Sequence, residues 1–261
     1  MSRTSLASLL DFAVDVAWRA GRVTLAHYQT GAAAETKADL SPVTVADRAA
    51  ERTARERIEA YFPTDGILGE EFGEARPGAR RRWILDPIDG TRSFVRGVPL
   101  YGVLIALEEA GEAVLGVLHF PALGESVWAA RGEGCWWDGR SARVSDVATL
   151  EEALVLTTDT EAFVGIERQH GWDRLRARAG TVRSWGDCYG YALVATGRAE
   201  AMLDPVLSPW DSAALLPVIE EAGGVFTDWE GARTHLGGSG VATSAALAAE
   251  VRLMLGGVDA G

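Results

Sequence analysis

The sequence WILDPIDGTRSF, residues 83–94, predicts a short buried strand that ends in a stiff turn. Its first three residues are apolar, as in a strand that is covered on both faces. Asp86 and Asp89 follow, and Pro87 between them fixes one backbone dihedral angle. Two carboxylates held at a fixed separation suit Mg²⁺, which requires oxygen ligands in near-octahedral geometry. The stretch therefore indicates a candidate cation site.

The turn continues with Gly90 and Thr91, where a helix is expected to begin. Their backbone N–H groups would face the same space as the carboxylates and could hold a phosphate group. An EF-hand loop is excluded because the alternating acids and the closing Glu are missing. Spacing alone leaves an ordinary Asp-rich turn as an open alternative to a phosphoryl-transfer site.

The composition is that of a globular protein, and its charge limits the classes of partner. The 261 residues include no apolar run of eighteen, so no membrane-spanning helix is expected. Cys135 and Cys188 lie far apart, and Asp11 and Asp15 interrupt any apolar signal-peptide core, which favours a reducing, cytoplasmic location. The net charge of −12 disfavours nucleic acid, because phosphate backbones are bound through Lys and Arg.

The predicted elements divide the chain into two halves. The N-terminal half, residues 1–149, is predicted to be α+β and to carry the metal-binding motifs. It contains expected helices over 5–29 and 44–62, a hairpin of 100–108 with 113–120, and a strand over 125–130. The C-terminal half, residues 150–261, is predicted to be α/β with some parallel pairing, because strands and helices alternate. The expected strands are 154–158, 181–184, 199–203 and 224–228, and the expected helices are 161–177, 189–195, 211–222 and 245–255.

Three further acids fall at the edges of these predicted elements. Glu70 ends a short strand, Asp47 lies in the first turn of a helix, and Asp211 begins another. Helix capping alone would account for a carboxylate at the last two positions. Considered singly, these acids leave structural and functional interpretations open.

Taken together, the motifs resemble the inositol monophosphatase family of Mg²⁺-dependent sugar phosphatases. The matching segments occur in the same order and spacing over roughly residues 5–255, and they are 37–47, 69–71, 83–94, 210–211 and 220–224. The resemblance implies an α/β (α+β) fold built as a layered αβαβα sandwich. It also implies a homodimer, with the metal ions held between the two halves of each chain.

The resemblance further implies a set of metal ligands for two or three Mg²⁺ ions. Asp86 would bridge two of the ions. Glu70 and the backbone carbonyl of Ile88 would complete the first site, while Asp89 and Asp211 would hold the second. Metal ions that share carboxylates can stabilise charge on both the attacking and the leaving oxygen of a phosphate ester.

The catalytic group implied by the resemblance consists of Glu70, Thr91 and Asp47. Thr91, with Asp47 behind it, would orient or deprotonate the attacking water. The amides of Gly90 and Thr91 would bind the phosphate of a small-molecule phosphate monoester. No role for a membrane or for nucleic acid is implied.

The substrate is suggested by residues 183–191, RSWGDCYGY, which resemble the histidinol-phosphate phosphatase branch of the family. Asp187, together with Asp204, would pair with the α-ammonium group of histidinol phosphate, whereas an inositol ring offers only hydroxyl groups. Arg183 would bind substrate or brace one of these acids. A helix N-cap is the alternative interpretation of Asp187.

Two other functions remain open at this level. One is hydrolysis of inositol 1-phosphate or another polyol or sugar phosphate by the same chemistry. The other is a non-catalytic interaction protein associated with RNA polymerase or RNA, because a fold alone does not prove catalysis.

Overall fold

The computed structural model describes residues 5–30, 35–36 and 42–256. Residues 37–41, the first part of the family-like segment 37–47, lie outside this range. The described helices are α1 Leu6–His27, α2 Val45–Tyr61, α3 Thr91–Val95, α4 Gln169–Arg178, α5 Asp187–Ala195, α6 Pro209–Ser212, α7 Leu215–Glu221 and α8 Ala248–Gly256. None of the helices in these ranges is long and apolar enough to cross a membrane.

The first half of the chain forms a mixed sheet of eight strands in the order β10-β9-β8-β7-β6-β5-β3-β4. A separate two-stranded pair precedes it. The strands, in chain order, are β1 Glu35–Thr36, β2 Pro42–Val43, β3 Gly66–Gly69, β4 Gly73–Ala75, β5 Arg81–Asp89, β6 Gly102–Glu109, β7 Glu112–Phe120, β8 Glu125–Ala130, β9 Gly134–Trp137 and β10 Arg140–Ser141. The hairpin β6–β7 confirms the predicted turn at residues 110–112, where Ala110 and Gly111 adopt positive φ.

The second half forms a sheet of five strands in the order β12-β11-β13-β15-β14. Its strands are β11 Leu154–Leu156, β12 Thr181–Arg183, β13 Ala201–Asp204, β14 Val225–Thr227 and β15 Gly240–Thr243. Strand β11 pairs in parallel with both β12 and β13, as the alternating pattern predicts. The division into two sheets agrees with an α/β organisation, and the expectation of two halves at 1–149 and 150–261 stays a prediction.

Three apolar clusters define five layers. Helices α1 and α2 pack on one face of the eight-stranded sheet. Helices α5 and α7 lie between the other face of that sheet and the five-stranded sheet. Helices α4 and α8 cover the outer face of the five-stranded sheet. The predicted αβαβα sandwich is therefore confirmed, and the layer between the sheets is where side chains from both halves can meet.

Two predicted helices differ from the structure, and one strand of the second sheet is not predicted. The helix expected over 161–177 begins only at Gln169, since Gly165 breaks the preceding segment with a φ of 77°. The helix expected over 211–222 is split into α6 and α7, because Pro217 has no N–H to donate to the carbonyl of Ala213. Strand β15 was not expected; its four residues are too few for a clear alternation signal.

The close approach of β7 to the segment after α6 depends on Gly116. A Cβ atom at this position would lie 2.1 Å from the carbonyl oxygen of Ala214, which is backbone and cannot rotate away. We expect Gly116→Ala to lower the free energy of unfolding by about 1–3 kcal/mol, the usual cost of overpacking. Thermal denaturation measures this, with Gly256→Ala as the control because nothing lies within 4 Å of its added Cβ. Equal melting temperatures for the two variants would contradict the prediction.

Candidate metal and phosphate site

Three carboxylates from distant parts of the sequence converge between the two sheets. Asp86 and Asp89 lie at the end of β5, and Asp211 lies in α6. One oxygen from each lies within 4.8 Å of the others. Side chains alternate along a strand, so Asp86 faces the same side as Ile84, toward the layer between the sheets. The convergence brings together three of the predicted ligands.

Each carboxylate is oriented by a backbone N–H group. Oδ1 of Asp86 accepts a hydrogen bond from the amide of Ile88 at 3.0 Å. Oδ2 of Asp89 accepts one from the amide of Cys188 at 2.5 Å. Oδ2 of Asp211 accepts one from the amide of Ser208 at 2.7 Å, within a helix capping box. Asp211 therefore takes part in capping as the third residue of the helix, while Ser208 is the N-cap, and this hydrogen bond also holds its carboxylate beside the other two.

The electrostatics of the cluster are unfavourable without a counter-charge. Burial raises the pKa of Asp86 well above its usual value, and the nearby charges of Glu70, Asp89 and Asp211 raise it further. Burial likewise raises the pKa of Asp89, with added repulsion from Asp187 and Asp211. Asp86 is buried and the other two acids are half-buried, and like charges this close together need protons or a cation to coexist.

The donor set fits a hard divalent cation. The clustered ligand atoms are carboxylate oxygens, which Mg²⁺ prefers, and their orientation is fixed by the backbone. Their mutual repulsion would be relieved by a bound positive charge. The residues present therefore suit the Mg²⁺ that the sequence motifs imply.

Glu70 lies next to this cluster but outside the three-carboxylate group. It follows β3, and its backbone N–H donates to the carbonyl of Leu85 at 3.3 Å. After burial, the negative charge of Glu70 is the largest cause of the raised pKa of Asp86. The structure thus brings Glu70 to the edge of the site, and its ligand role stays a prediction.

The predicted water-orienting residues are also adjacent. The hydroxyl of Thr91 donates to the carbonyl of Ile88 at 2.9 Å and lies 3.5 Å from Oδ1 of Asp47. Oδ2 of Asp47 accepts from the amide and the hydroxyl of Thr44, in the capping box that begins α2. Burial raises the pKa of Asp47 above its usual value. Asp47 therefore caps its helix and faces Thr91 at the same time.

A cavity of about 190 Å³ opens beside the cluster. Its lining is acidic and apolar and includes no Lys or Arg among the described residues. Burial, followed by repulsion from Asp204, raises the pKa of Asp187 to about 7. Burial raises the pKa of Asp204 to about 6, although hydrogen bonds from Thr158 and Tyr191 oppose the rise. The cavity is lined by Asp89, Thr158, Asp159, Ala162, Asp187, Cys188, Tyr191, Asp204, Pro205, Val206, Leu207, Asp211 and Leu215.

Asp187 adopts an unusual backbone conformation, with a φ of 52°. Its carboxylate lies so close to Gly90 that a Cβ atom at Gly90 would be 2.9 Å from Oδ2 of Asp187. Gly90 itself has a φ of 83°, so both its conformation and its neighbour require glycine. A strained non-glycine residue against the turn that is predicted to bind phosphate is typical of a functional position.

Arg183 does not line the cavity, and no described hydrogen bond joins it to another predicted site residue. Its side chain is exposed, and Nη1 donates to the carbonyl of Val182 at 2.8 Å. The N-cap interpretation of Asp187 is also unsupported, since Asp187 is the first residue of α5 and Gly186 occupies the cap. A substrate role for Arg183 stays a prediction without a described contact to support it.

Two residues of the cavity were missed in the sequence. The amide of Thr158 donates to Asp204 at 3.0 Å, and its hydroxyl accepts from the amide of Asp187 at 2.8 Å. The hydroxyl of Tyr191 donates to Asp204 at 3.1 Å. The available signal was the position of Thr158 just after a parallel strand, at the edge where ligand sites form.

The fold and the acidic site define the class of Mg²⁺-dependent phosphoric monoester hydrolases. The chain belongs to the inositol monophosphatase family, whose model matches residues 5–254.

The family assignment is supported by individual proteins. The chain is 48% identical to a histidinol-phosphatase of Chlorobaculum parvum, over 90% of this chain and 91% of that protein. It is 43% identical to a histidinol-phosphatase of Mycobacterium tuberculosis, over 83% and 85% of the two chains. The structure matches an inositol monophosphatase from Zymomonas mobilis with a TM-score of 0.87 at 33% identity, covering 97% of this chain and 99% of that one.

Proposed function

We propose that this protein hydrolyses L-histidinol phosphate to L-histidinol and phosphate, a step of histidine biosynthesis. The observation that carries the proposal is the carboxylate of Asp187, held against Gly90 in a cavity whose described lining is acidic. A substrate with a positively charged amino group complements that carboxylate, whereas a polyol does not need it. The two similar histidinol-phosphatases support the same substrate.

In this proposal, two or three Mg²⁺ ions are held by Asp86, Asp89, Asp211, Glu70 and the carbonyl of Ile88. When bound, the ions would offset charge on the phosphate oxygens and make a nearby water more acidic. The carbonyl oxygen of Ile88 also accepts a hydrogen bond from Thr91. It has two lone pairs, one for this hydrogen bond and one for the metal ion.

The remaining residues position the reactants. The hydroxyl of Thr91 donates to the carbonyl of Ile88, so its lone pairs are available to accept a hydrogen bond from the attacking water. The water oxygen forms a bond to phosphorus as the bond from phosphorus to the histidinol oxygen breaks. One proton of the water passes to the oxygen of Thr91 as the hydrogen of Thr91 turns from Ile88 to Oδ1 of Asp47, 3.5 Å away. The leaving oxygen takes a proton from solvent to become the alcohol, and Asp47 later returns its proton to solvent. The amides of Gly90 and Thr91 hold the phosphate.

A substrate panel with saturating Mg²⁺ tests the proposal. We expect kcat/KM for histidinol phosphate to exceed that for inositol 1-phosphate and for a nucleotide 3′-phosphate. Much faster turnover of either of the other two esters would show that the proposed substrate is wrong, while leaving the hydrolase class intact.

A polyol phosphate is the second candidate, and two hydrogen bonds of Asp204 favour it. Both oxygens of Asp204 already accept hydrogen bonds within the protein, from Thr158 and Tyr191. Asp204 therefore needs no cationic ligand to be satisfied, and the charge argument for an amino substrate depends on Asp187. In this case inositol 1-phosphate would be the better substrate in the panel.

A non-catalytic role with RNA polymerase or RNA is a third possibility. The buried acids oppose it, because a binding role gives no reason to keep carboxylates that repel one another. Growth of a histidine auxotroph separates the two roles. Rescue by the wild type but not by Asp89→Asn is expected for the enzyme, and rescue by both would favour the interaction role.

We also propose a cytoplasmic homodimer whose function involves neither nucleic acid nor a membrane. The net charge of −12 supports the absence of nucleic acid, since the protein would repel a phosphate backbone. Light scattering would measure the mass in solution, and a monomeric mass would contradict the dimer.

Removal of Mg²⁺ should lower the thermal stability of the protein. The folded state gathers the acidic ligands and the unfolded chain does not, so binding stabilises the folded state. At a concentration one hundred times the dissociation constant, the gain is about 2.7 kcal/mol. Calorimetric scans with Mg²⁺ and with chelator measure the difference. An unchanged melting temperature would contradict a pre-formed metal site.

A further inference from the structure

A buried glutamate of α2 contacts the turn that carries Glu70. Glu51 has a side chain with no solvent exposure. Its Oε2 accepts a hydrogen bond from the amide of Glu71 at 2.7 Å, and its Oε1 accepts one from the amide of Phe72 at 3.2 Å. These are the two amides that follow Glu70 in the chain. The carboxylate therefore holds the backbone next to a predicted metal ligand.

The contact is reinforced from both sides. Nε of Arg55 donates to Oε1 of Glu51 at 2.7 Å, and Nη2 of Arg55 donates to the carbonyl of Gly73. On the other side, a Cβ atom at Gly69 would lie 2.1 Å from Oε1 of Glu51. The carboxylate thus fills the space beneath the β3–β4 turn, and its neighbours leave it little freedom to move.

The same helix serves both sides of the site. Asp47 and Glu51 lie four residues apart in α2 and therefore on one face of the helix. Asp47 faces Thr91, and Glu51 faces the turn of Glu70. The amide of Glu70 is bonded in turn to Leu85 of β5. Helix α2 and strand β5 together fix the backbone of residues 70–72.

We infer that Glu51 is a positioning residue that sets the backbone of Glu70 for Mg²⁺ binding. This inference rests on the proposed metal role of Glu70. A charged acceptor that receives two amides forms strong hydrogen bonds, and loss of the charge weakens all of them. Groups that orient metal ligands typically change metal affinity by about 10–100-fold when they are removed.

The test compares three variants by direct Mg²⁺ binding, measured by titration calorimetry, and by the Mg²⁺ dependence of activity. In Glu51→Gln, the N–H groups of the new side-chain amide would face a backbone N–H group of Glu71 or Phe72, and two donors cannot form a hydrogen bond. We expect its Mg²⁺ dissociation constant to rise about 10–100-fold, with kcat close to wild type at saturating Mg²⁺. Glu56→Gln is the matched control, since it makes the same change on the exposed face of α2. Glu70→Gln tests the metal role itself.

The outcomes separate the inference from the proposed function. If Glu70→Gln weakens Mg²⁺ binding and Glu51→Gln matches Glu56→Gln, the inference about Glu51 is wrong. If Glu70→Gln leaves binding unchanged, the metal role of Glu70 fails and the inference falls with it. If Glu51→Gln does not fold, Arg55→Met decides, because it keeps the apolar stem and removes the bond to Glu51. A severalfold rise in its dissociation constant supports the inference, and no change overturns it.

Discussion

The Asp86→Asn variant is expected to lose hydrolysis of every phosphate monoester, by more than about 100-fold in kcat/KM. Asp86 lies at the centre of the acidic cluster, where Glu70, Asp89 and Asp211 all influence it. An amide keeps the shape but contributes no negative charge to hold a cation. If Asp86 is a metal ligand, as proposed, its loss should exceed the roughly 10–100-fold effect of removing a group that only orients a ligand. Steady-state kinetics with saturating Mg²⁺ measure the loss.

The stability of the same variant should change in the opposite direction. Asp86 is buried among like charges, so its removal relieves repulsion in the metal-free protein. In chelator we expect a melting temperature equal to or above that of the wild type. With Mg²⁺ the wild type should gain stability and the variant little. Asp11→Asn, at an exposed position of α1, is the control for loss of one charge. An active Asp86→Asn enzyme would disprove the assignment of this cluster as the metal centre.

Asp187→Asn should separate the two candidate substrates. We expect kcat/KM for histidinol phosphate to fall roughly 10–150-fold, the equivalent of losing a hydrogen bond to a charged group. The value for inositol 1-phosphate should stay within a few-fold of wild type. Asn is preferred to Ala here because Asn tolerates the positive φ of 52°, so the backbone is not disturbed.

The control for Asp187 is Asp159→Asn, which removes the same charge from an exposed position at the cavity. The Asp159→Asn variant should change kcat/KM only slightly for both substrates. Asp187 precedes Cys188, whose amide donates a hydrogen bond to Asp89. An effect of the substitution on that hydrogen bond would reduce turnover of both substrates. Equal losses for the two substrates would indicate such an indirect effect and would remove the support for an amino substrate.

The sequence predicted the layered fold well where its signals are local. The helical period of residues 5–29 and the hairpin around Gly111 depend on neighbouring residues, and both are confirmed. The continuous helix over 211–222 was wrong because one missing amide, at Pro217, interrupts it. Strand β15 is stabilised by its neighbours β13 and β14 rather than by a pattern of its own.

The candidate site was predicted from the order of the motifs along the chain and from the residue types within them. Asp86, Asp89 and Asp211 could be named as ligands because their motifs resemble those of a family. Their separation of at most 4.8 Å, the amide of Cys188 on Asp89, and the place of Glu51 beneath Glu70 could not be read from the sequence. Arg183 is a residue that the motif predicts in the site, whereas in the structure its side chain donates to the carbonyl of Val182.

The sequence by itself determined the composition of the site, namely acids and a glycine turn suited to a divalent cation and a phosphate. Only the tertiary structure decided which of these groups meet and what holds them. The physical reason is that contacts such as Cys188 with Asp89 join residues 99 positions apart. Such contacts arise from the packing of two sheets around shared helices, and no local pattern in the chain encodes that packing.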